Sequence, residues 1–413
     1  MGRLLEKWSV VIVNNYFLLF AINGFLAMIG MKYAAKLDLL IMLAASVLTA
    51  SYLLKKMVFF DFLVIVFIGV LALSGYVKDY DESLWYLGCR TELYFIIFFF
   101  VGKHPSMRNL DIIRKGIVPF LIVCLIGLYL YFTSPSWYME YKMEIWSDQD
   151  DAGRFLEMSR LSAFWPYPYW VSYGSTIIYM YIMYLSYKVG TISKKNICIM
   201  VFLVLITLLS QQRTPLAAIA FITIFYCVTS IFFRKRTQKR TMFGSLLILL
   251  ILIMCIAVFA FNIISDEMRV RLLDKLEAFD NAQMFLKDRT NIFRDFRTKE
   301  ISLLGDGIGR YSHGAYFLGK SAITDQQYMK MLYEIGILGC IGYGFIFLVT
   351  ILKGLRNIKG NIFELLIIAF YLVAMTGANC LAVFEQHIAI FWICCGLVFS
   401  RQMDNGRKLW IKE

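Results

Sequence analysis

Residues 196–233 read NICIMVFLVLITLLSQQRTPLAAIAFITIFYCVTSIFF. Two apolar runs, 196–211 and 214–233, meet at Gln211-Gln212-Arg213-Thr214-Pro215. Roughly 20 apolar residues cross a bilayer. Taken without its centre the stretch would be one span of nearly twice that length. A charge flanked by amides and followed by proline does not belong at mid-bilayer. The stretch is therefore a hairpin of two membrane helices with Arg213 at the interface.

The same reading extended in both directions gives 12 candidate spans: 9–31, 37–54, 57–76, 84–102, 116–133, 166–187, 196–211, 214–233, 243–264, 326–352, 362–380 and 386–400. The 413-residue chain is 60% hydrophobic and 17% charged, with a mean hydropathy of +0.65. That leaves too little polar surface for a set of soluble domains. A soluble enzyme, a nucleic-acid-binding domain and a disordered tail are excluded as whole-chain readings. The fold expected is all-α: a polytopic membrane protein in which residues 1–413 form a single transmembrane domain.

The net charge of +13 is a topology signal. With a cytoplasmic N-terminus, the even-numbered connections and both termini carry far more Lys and Arg than Asp and Glu. Lys55-Lys56, Lys194-Lys195 and Arg234-Lys235-Arg236 are examples. On the opposite side acidic residues outnumber basic ones. The positive-inside bias puts both termini in the cytoplasm, and no nucleic-acid partner is expected. The first apolar stretch has no small-residue cleavage site and reads as a membrane anchor. The nine cysteines lie in or beside apolar spans without a CxxC, as buried hydrophobes do.

Two outer segments, 134–165 and 265–325, are too long to be turns and are expected to be functional. In the second, Met268, Leu272, Leu276 and Phe279 recur at helical spacing, as do Ile292, Phe293 and Phe296. They predict short amphipathic helices lying along the membrane face.

Intramembrane ionisable residues are expensive and mark candidate sites. Arg90 and Glu92 in the fourth span, Arg213 in the hairpin, Lys330 and Glu334 in the tenth span, and Glu385 and His387 in the twelfth all fall at outer ends. Only Asp61 and Glu364 fall near inner ends. This predicts a site at the outer leaflet under a cap, the competing reading being structural pairs such as Arg90 with Glu92 or Lys330 with Glu334. Arg154, Arg160, Arg213, Arg289, Arg294, Arg297 and Arg310 share the outer side. Guanidinium groups bind phosphate oxygens bidentately and stay charged, so a specific anion is expected there. The aromatic run 164–170 after Arg160 suits an interfacial belt or a sugar-stacking surface. The glycine run 305–314 is neither GxGxxG nor a Walker loop, because Ser312 takes the last glycine position and the lysine is missing. It reads as a loop whose backbone approaches a ligand closely. His313, between Arg310 and Asp325, is a candidate base. Asp148, Asp150 and Asp151 lack further ligand spacing, so no metal and no cofactor are expected.

Several of these residues resemble a known family. Leu209-Ser210-Gln211-Gln212-Arg213-Thr214-Pro215-Leu216-Ala217 resembles the Ser-x-x-Arg-x-x-Leu-Ala hairpin of the O-antigen ligase and Wzy-type O-antigen polymerase superfamily. The glycine run, then His313, then Asp325, Tyr328, Met331, Glu334, Gly336 and Gly339 are similar to that family's glycine loop and the entry to its next span. Arg160-Leu-Ser-Ala163-Phe164-x-Pro166-Tyr-Pro168 resembles its Arg-x-x-Gly-x-x-x-x-Pro segment, with Ala163 where glycine is usual, and Arg289 also fits. The resemblance covers roughly 160–340.

It implies a metal-independent GT-C-type glycosyltransferase in the bacterial inner membrane, its active site facing the periplasm. The substrate would be an undecaprenyl-diphosphate-linked oligosaccharide repeat unit. Membrane lipids, and a chain-length regulator and flippase of the same pathway, would be partners. Arg213 and Arg289 would hold pyrophosphate with help from Arg160, and His313 would take the hydroxyl proton, with Glu92 and Asp325 in reserve. Arg90, Arg310, Tyr328 and Glu334 complete the substrate-binding candidates. Polymerase is the favoured member. Ligation to lipid A core is the alternative within the class, and a lipid-linked oligosaccharide flippase or transporter the alternative outside it.

Overall fold

The computed structural model describes residues 2–28, 36–77, 81–107, 111–145, 160–165, 167–233, 244, 249, 251–252, 301–312, 315, 326–378, 380–381 and 385–410. Among the described residues every regular element is helical: α1 (Gly2–Asn14), α2 (Tyr16–Met28), α3 (Lys36–Lys56), α4 (Phe59–Val77), α5 (Glu82–Gly88), α6 (Ile97–Lys103), α7 (Asp111–Thr133), α8 (Ser136–Ile145), α9 (Pro168–Val189), α10 (Lys194–Leu209), α11 (Arg213–Phe233), α12 (Gln327–Arg356), α13 (Ile358–Ala374) and α14 (Glu385–Trp410). A helix lies on each expected apolar stretch except 243–264, nearly all of which falls outside the described residues. Among the described residues four stretches are long and apolar enough on their own to cross a membrane: Leu39–Lys56, Glu82–Lys103, Ile112–Thr133 and Gln327–Arg356. The bundle is that of a helical membrane protein.

Three departures from regular spans are informative. The expected first span is two helices, α1 and α2, bent by 64°. Asn15 sits at the break, and its side-chain amide donates to the Val11 carbonyl at 2.7 Å. Asparagine competes for backbone groups in this way and weakens a helix interior.

The fourth span is interrupted between α5 and α6 by a π-turn, Cys89–Leu93, and a short 3₁₀ turn, Tyr94–Ile96. A π-turn inserts an extra residue and rotates the downstream face. Both charged residues of this span, Arg90 and Glu92, lie on it.

The third departure is in α12, where Gly336 has φ 67 and ψ −171 inside the helix. That conformation is essentially closed to any residue with a Cβ. The break frees backbone groups that must find partners away from water. The chain at 303–307 supplies them. Asp306 N–H donates to the Tyr333 carbonyl at 2.7 Å, Gly307 N–H to the Glu334 carbonyl at 3.0 Å, and Leu338 N–H to the Leu303 carbonyl at 3.2 Å.

The tyrosine-rich α9 is buried along most of its length, packed on α10, α11 and α13. Its Ser172, Gly174, Ser175 and Thr176 let neighbours approach, as small and hydroxyl residues do between membrane helices. Aromatic rings fill the core: Trp165 stacks on Phe20 at 4.7 Å and on Phe120 at 5.5 Å.

Candidate functional site

The sequence-derived candidates fall into two groups, both at the end of the bundle where α9, α11 and α12 begin. The first surrounds Lys330. Its ammonium is fully buried and pairs with Glu92 on the π-turn and, at 3.2 Å, with Glu334 one turn further along α12. The second Glu334 oxygen, Oε1, accepts the Tyr311 backbone N–H at 2.7 Å. The Tyr311 hydroxyl donates to Asp306 at 2.5 Å. Burial and the Asp306 carboxylate both raise the phenol pKa, so it stays protonated and donating.

Backbone contact reinforces these charges. A Cβ on Gly305 would stand 2.3 Å from the Glu334 carbonyl oxygen, and one on Gly88 would stand 2.6 Å from Gly309 N. The glycine loop is thus wedged between α5 and the broken part of α12. From sequence these glycines were expected to give close approach to a ligand; the backbone they approach is instead the protein's own. Arg310 is half-buried beside Tyr311.

The second group surrounds Arg160. Leu161 N–H donates to the Leu209 carbonyl at 3.0 Å, which docks the Arg160 segment directly on the hairpin that carries Arg213. That hairpin turns through Gln211 in the left-handed region, φ 57. Arg213 opens α11 and is exposed. The short α8 holds the Arg160 segment from the other side. Lys142 donates to the Arg160 carbonyl at 2.8 Å, Tyr138 to the Ala163 carbonyl at 2.9 Å, and Tyr141 to the Phe164 carbonyl at 3.2 Å. Burial pushes the Tyr138 phenol up to about 12, so this donor persists at any physiological pH. Sequence reasoning missed α8 as a clamp. Its signal was present in the spacing of Tyr138, Tyr141 and Lys142, which puts all three on one helix face.

Other candidates lie apart or beyond description. Tyr328 is partly exposed, and its hydroxyl donates to the Leu372 carbonyl at 2.7 Å, tying α12 to α13. Arg90 is half-buried on the π-turn, and it is Lys330 that pairs with Glu92. Arg289, His313, Asp325, the acidic run 148–151 and both amphipathic patterns of 265–300 lie outside the described residues, as do the side chains of Glu385 and His387. At the opposite end of the bundle, Lys103 pairs with the buried Asp61, which also accepts from Tyr52 at 2.9 Å and from Val58 N–H at 3.1 Å.

No protein-family model matches this chain, and no curated protein and no solved structure matches it. Its class rests on the helices and contacts described above.

Proposed function

We propose that the chain is a GT-C-type glycosyltransferase of the O-antigen polymerase kind. It would have 12 spans, cytoplasmic termini, and residues 134–165 and 265–325 on the periplasmic face. The hydroxyl of one lipid-linked repeat attacks the anomeric carbon of the growing glycan. The bond from that carbon to the lipid diphosphate breaks, and undecaprenyl diphosphate leaves. This leaving group needs charge stabilisation more than protonation, which fixed guanidinium donors supply. Arg213 and Arg289 hold the diphosphate, Arg160 assists, and His313 takes the hydroxyl proton. Glu92 and Glu334, both engaged by Lys330, are positioning residues that hold the π-turn and the glycine loop.

The observation that carries this reading is the docking of the Arg160 segment on the Arg213 hairpin through Leu161 and Leu209. Two arginine-bearing motifs distant in sequence meet there. Arg213, exposed at a helix N-terminus, adds a charge to backbone donors already suited to an anion. Arg213→Lys keeps the charge and loses the bidentate fork. A lost transition-state donor of this type costs about 2.7–4 kcal/mol, roughly 10²–10³ in rate. Lipopolysaccharide from a deletion strain complemented with Arg213→Lys should carry short chains while membrane abundance stays normal. Near-normal polymer from Arg213→Ala would remove the residue from the mechanism. In the uncomplemented strain, a core with one repeat unit indicates lost polymerisation. A bare core with polymer kept on the lipid carrier indicates ligation instead, and loss of flipped repeat units would support the transporter.

A further inference from the structure

Lys330 and Glu334 stand one turn apart on α12, and the π-turn brings Glu92 to the same ammonium. All three side chains are buried. Charge does not balance among them. Among the described residues Lys330 is the one cation in an ion pair with either carboxyl. Arg90 is on the same π-turn, half-buried, and pairs with neither. On the glycine loop Arg310 and Asp306 act on Tyr311, whereas the charges acting on Glu334 are those of Glu92 and Lys330. The other titratable groups facing the carboxyls are Cys89 on the π-turn and Tyr343 on α12, and neither carries positive charge. At the opposite end of the bundle Asp61 meets Lys103 one to one. Here two carboxyls share one ammonium.

If both carboxyls were ionised, the triad would bury an excess negative charge, which is costly away from water. Two carboxyls in one buried site do not both ionise; one keeps a proton. The oxygens show where it fits. Glu334 Oε1 accepts the Tyr311 N–H at 2.7 Å. Glu334 Oε2 is buried and has no hydrogen-bond partner, and it faces the ammonium at 3.2 Å. We propose that the triad binds one proton, held by Glu334 Oε2 and the Glu92 carboxyl together. The proton belongs to the pair rather than to either residue. With it the triad is neutral, and the glycine loop rests on Glu334 without an unbalanced charge beneath it. The site takes no part in the proposed glycan transfer, in which His313 receives the hydroxyl proton.

Infrared spectra of the full-length protein, in an ester-free detergent at neutral pH, test this. A protonated carboxyl absorbs above the amide I band, and a carboxylate absorbs below it. Exposed carboxyls are ionised at this pH. Wild type minus Glu334→Gln should show one carboxylic-acid band. Wild type minus Glu92→Gln should show the same band at the same amplitude, because the carboxyl left behind pairs alone with Lys330 and ionises. Loss of a single band through either of two substitutions is the signature of a shared proton. Glutamine keeps the shape of each side chain and leaves one carboxyl for one ammonium, so both variants should accumulate. If one does not, the band lost in the other still decides whether the triad is protonated. An acid band in neither difference spectrum would mean that both carboxyls are ionised and would overturn the proposal. A band lost in one variant and kept in the other would place the proton on a single carboxyl and overturn the sharing. Neither result bears on the glycosyltransferase reading, which rests on Arg160 and Arg213.

Discussion

Two regions at one end of this bundle use similar residues in opposite ways. Around Lys330 a cation, two carboxylates and a glycine loop are closed on one another, all of them buried. Around Arg160 the chain is held by its carbonyls, through Lys142, Tyr138, Tyr141 and Leu209, and the neighbouring Arg213 is exposed. In the first region charge is used to hold backbone segments together. In the second no ion pair is shown among the described residues: Lys142 and two tyrosines donate to backbone carbonyls, and Arg213 is exposed. The difference separates positioning residues from candidate ligand-binding residues more sharply than depth in the membrane does, since both regions lie at one end.

The comparison can be broken most forcefully at Lys330. Lys330→Met would leave Glu92 and Glu334 buried together without their shared cation. Removing one partner of a buried ion pair costs about 3–5 kcal/mol. Membrane abundance and the unfolding midpoint should both fall steeply. Adding Glu92→Gln and Glu334→Gln to the same protein removes the uncompensated charges and should recover most of the loss, because a neutral replacement of a buried ionic group is often tolerated. Normal abundance in Lys330→Met alone would dissolve the contrast. In the same assays Arg213→Ala should keep its abundance and lose polymer, the reverse pattern.

A smaller effect is expected at the helix break. Gly336→Ala puts a Cβ where φ is 67, about 2.3 Å from Gly305 N. An L-residue in this conformation costs about 1–3 kcal/mol, and the backbone clash adds to it. The glycine loop should pull away from α12, read as faster amide exchange at Asp306 and Gly307, which donate to the Tyr333 and Glu334 carbonyls. Unchanged protection at both amides would show that the loop is not held by the break.

The helices were legible because bilayer length acts on every apolar stretch alike. The hairpin at Gln211–Pro215 was readable residue by residue, and the structure turns there. The positions of Arg160 and Arg213 in their motifs were readable, but their contact was not. It is made by the backbone of Leu161 and Leu209, which no side-chain pattern encodes. Likewise Lys330 with Glu334 follows from helical spacing, whereas Glu92 joins them only because a π-turn rotates it into place. The break at Gly336 was hidden for the opposite reason. Ile335, Ile337 and Leu338 beside it read as an ordinary span, glycine being common in membrane helices, and only the glycine loop that fills the gap reveals it.

The smallest expected effect sharpens the comparison from the side of the Arg160 segment. Ala163 sits in the left-handed region at φ 51. Its Cβ lies 2.3 Å from where a Cβ on Gly127 of α7 would be, so Gly127 makes room for it. Ala163→Gly relieves the left-handed strain of about 1 kcal/mol but increases the conformational freedom of the unfolded chain by about 0.4–1 kcal/mol. The two terms nearly cancel, and stability should change by less than about 1 kcal/mol. The carbonyl of residue 163 still accepts from Tyr138, so the clamp stays in place. Chain-length distribution should therefore be unchanged. Gly127→Ala should be clearly worse than Ala163→Gly, because it adds a Cβ against Ala163 with no strain to release. Gly127→Ala combined with Ala163→Gly should recover only part of that loss, since the methyl clash goes while the Cα of residue 163 still stands 2.6 Å from the new Cβ. If the double variant is no better than Gly127→Ala alone, the α7 contact is set elsewhere and the Arg160 segment is not seated as tightly as α8 and the hairpin suggest.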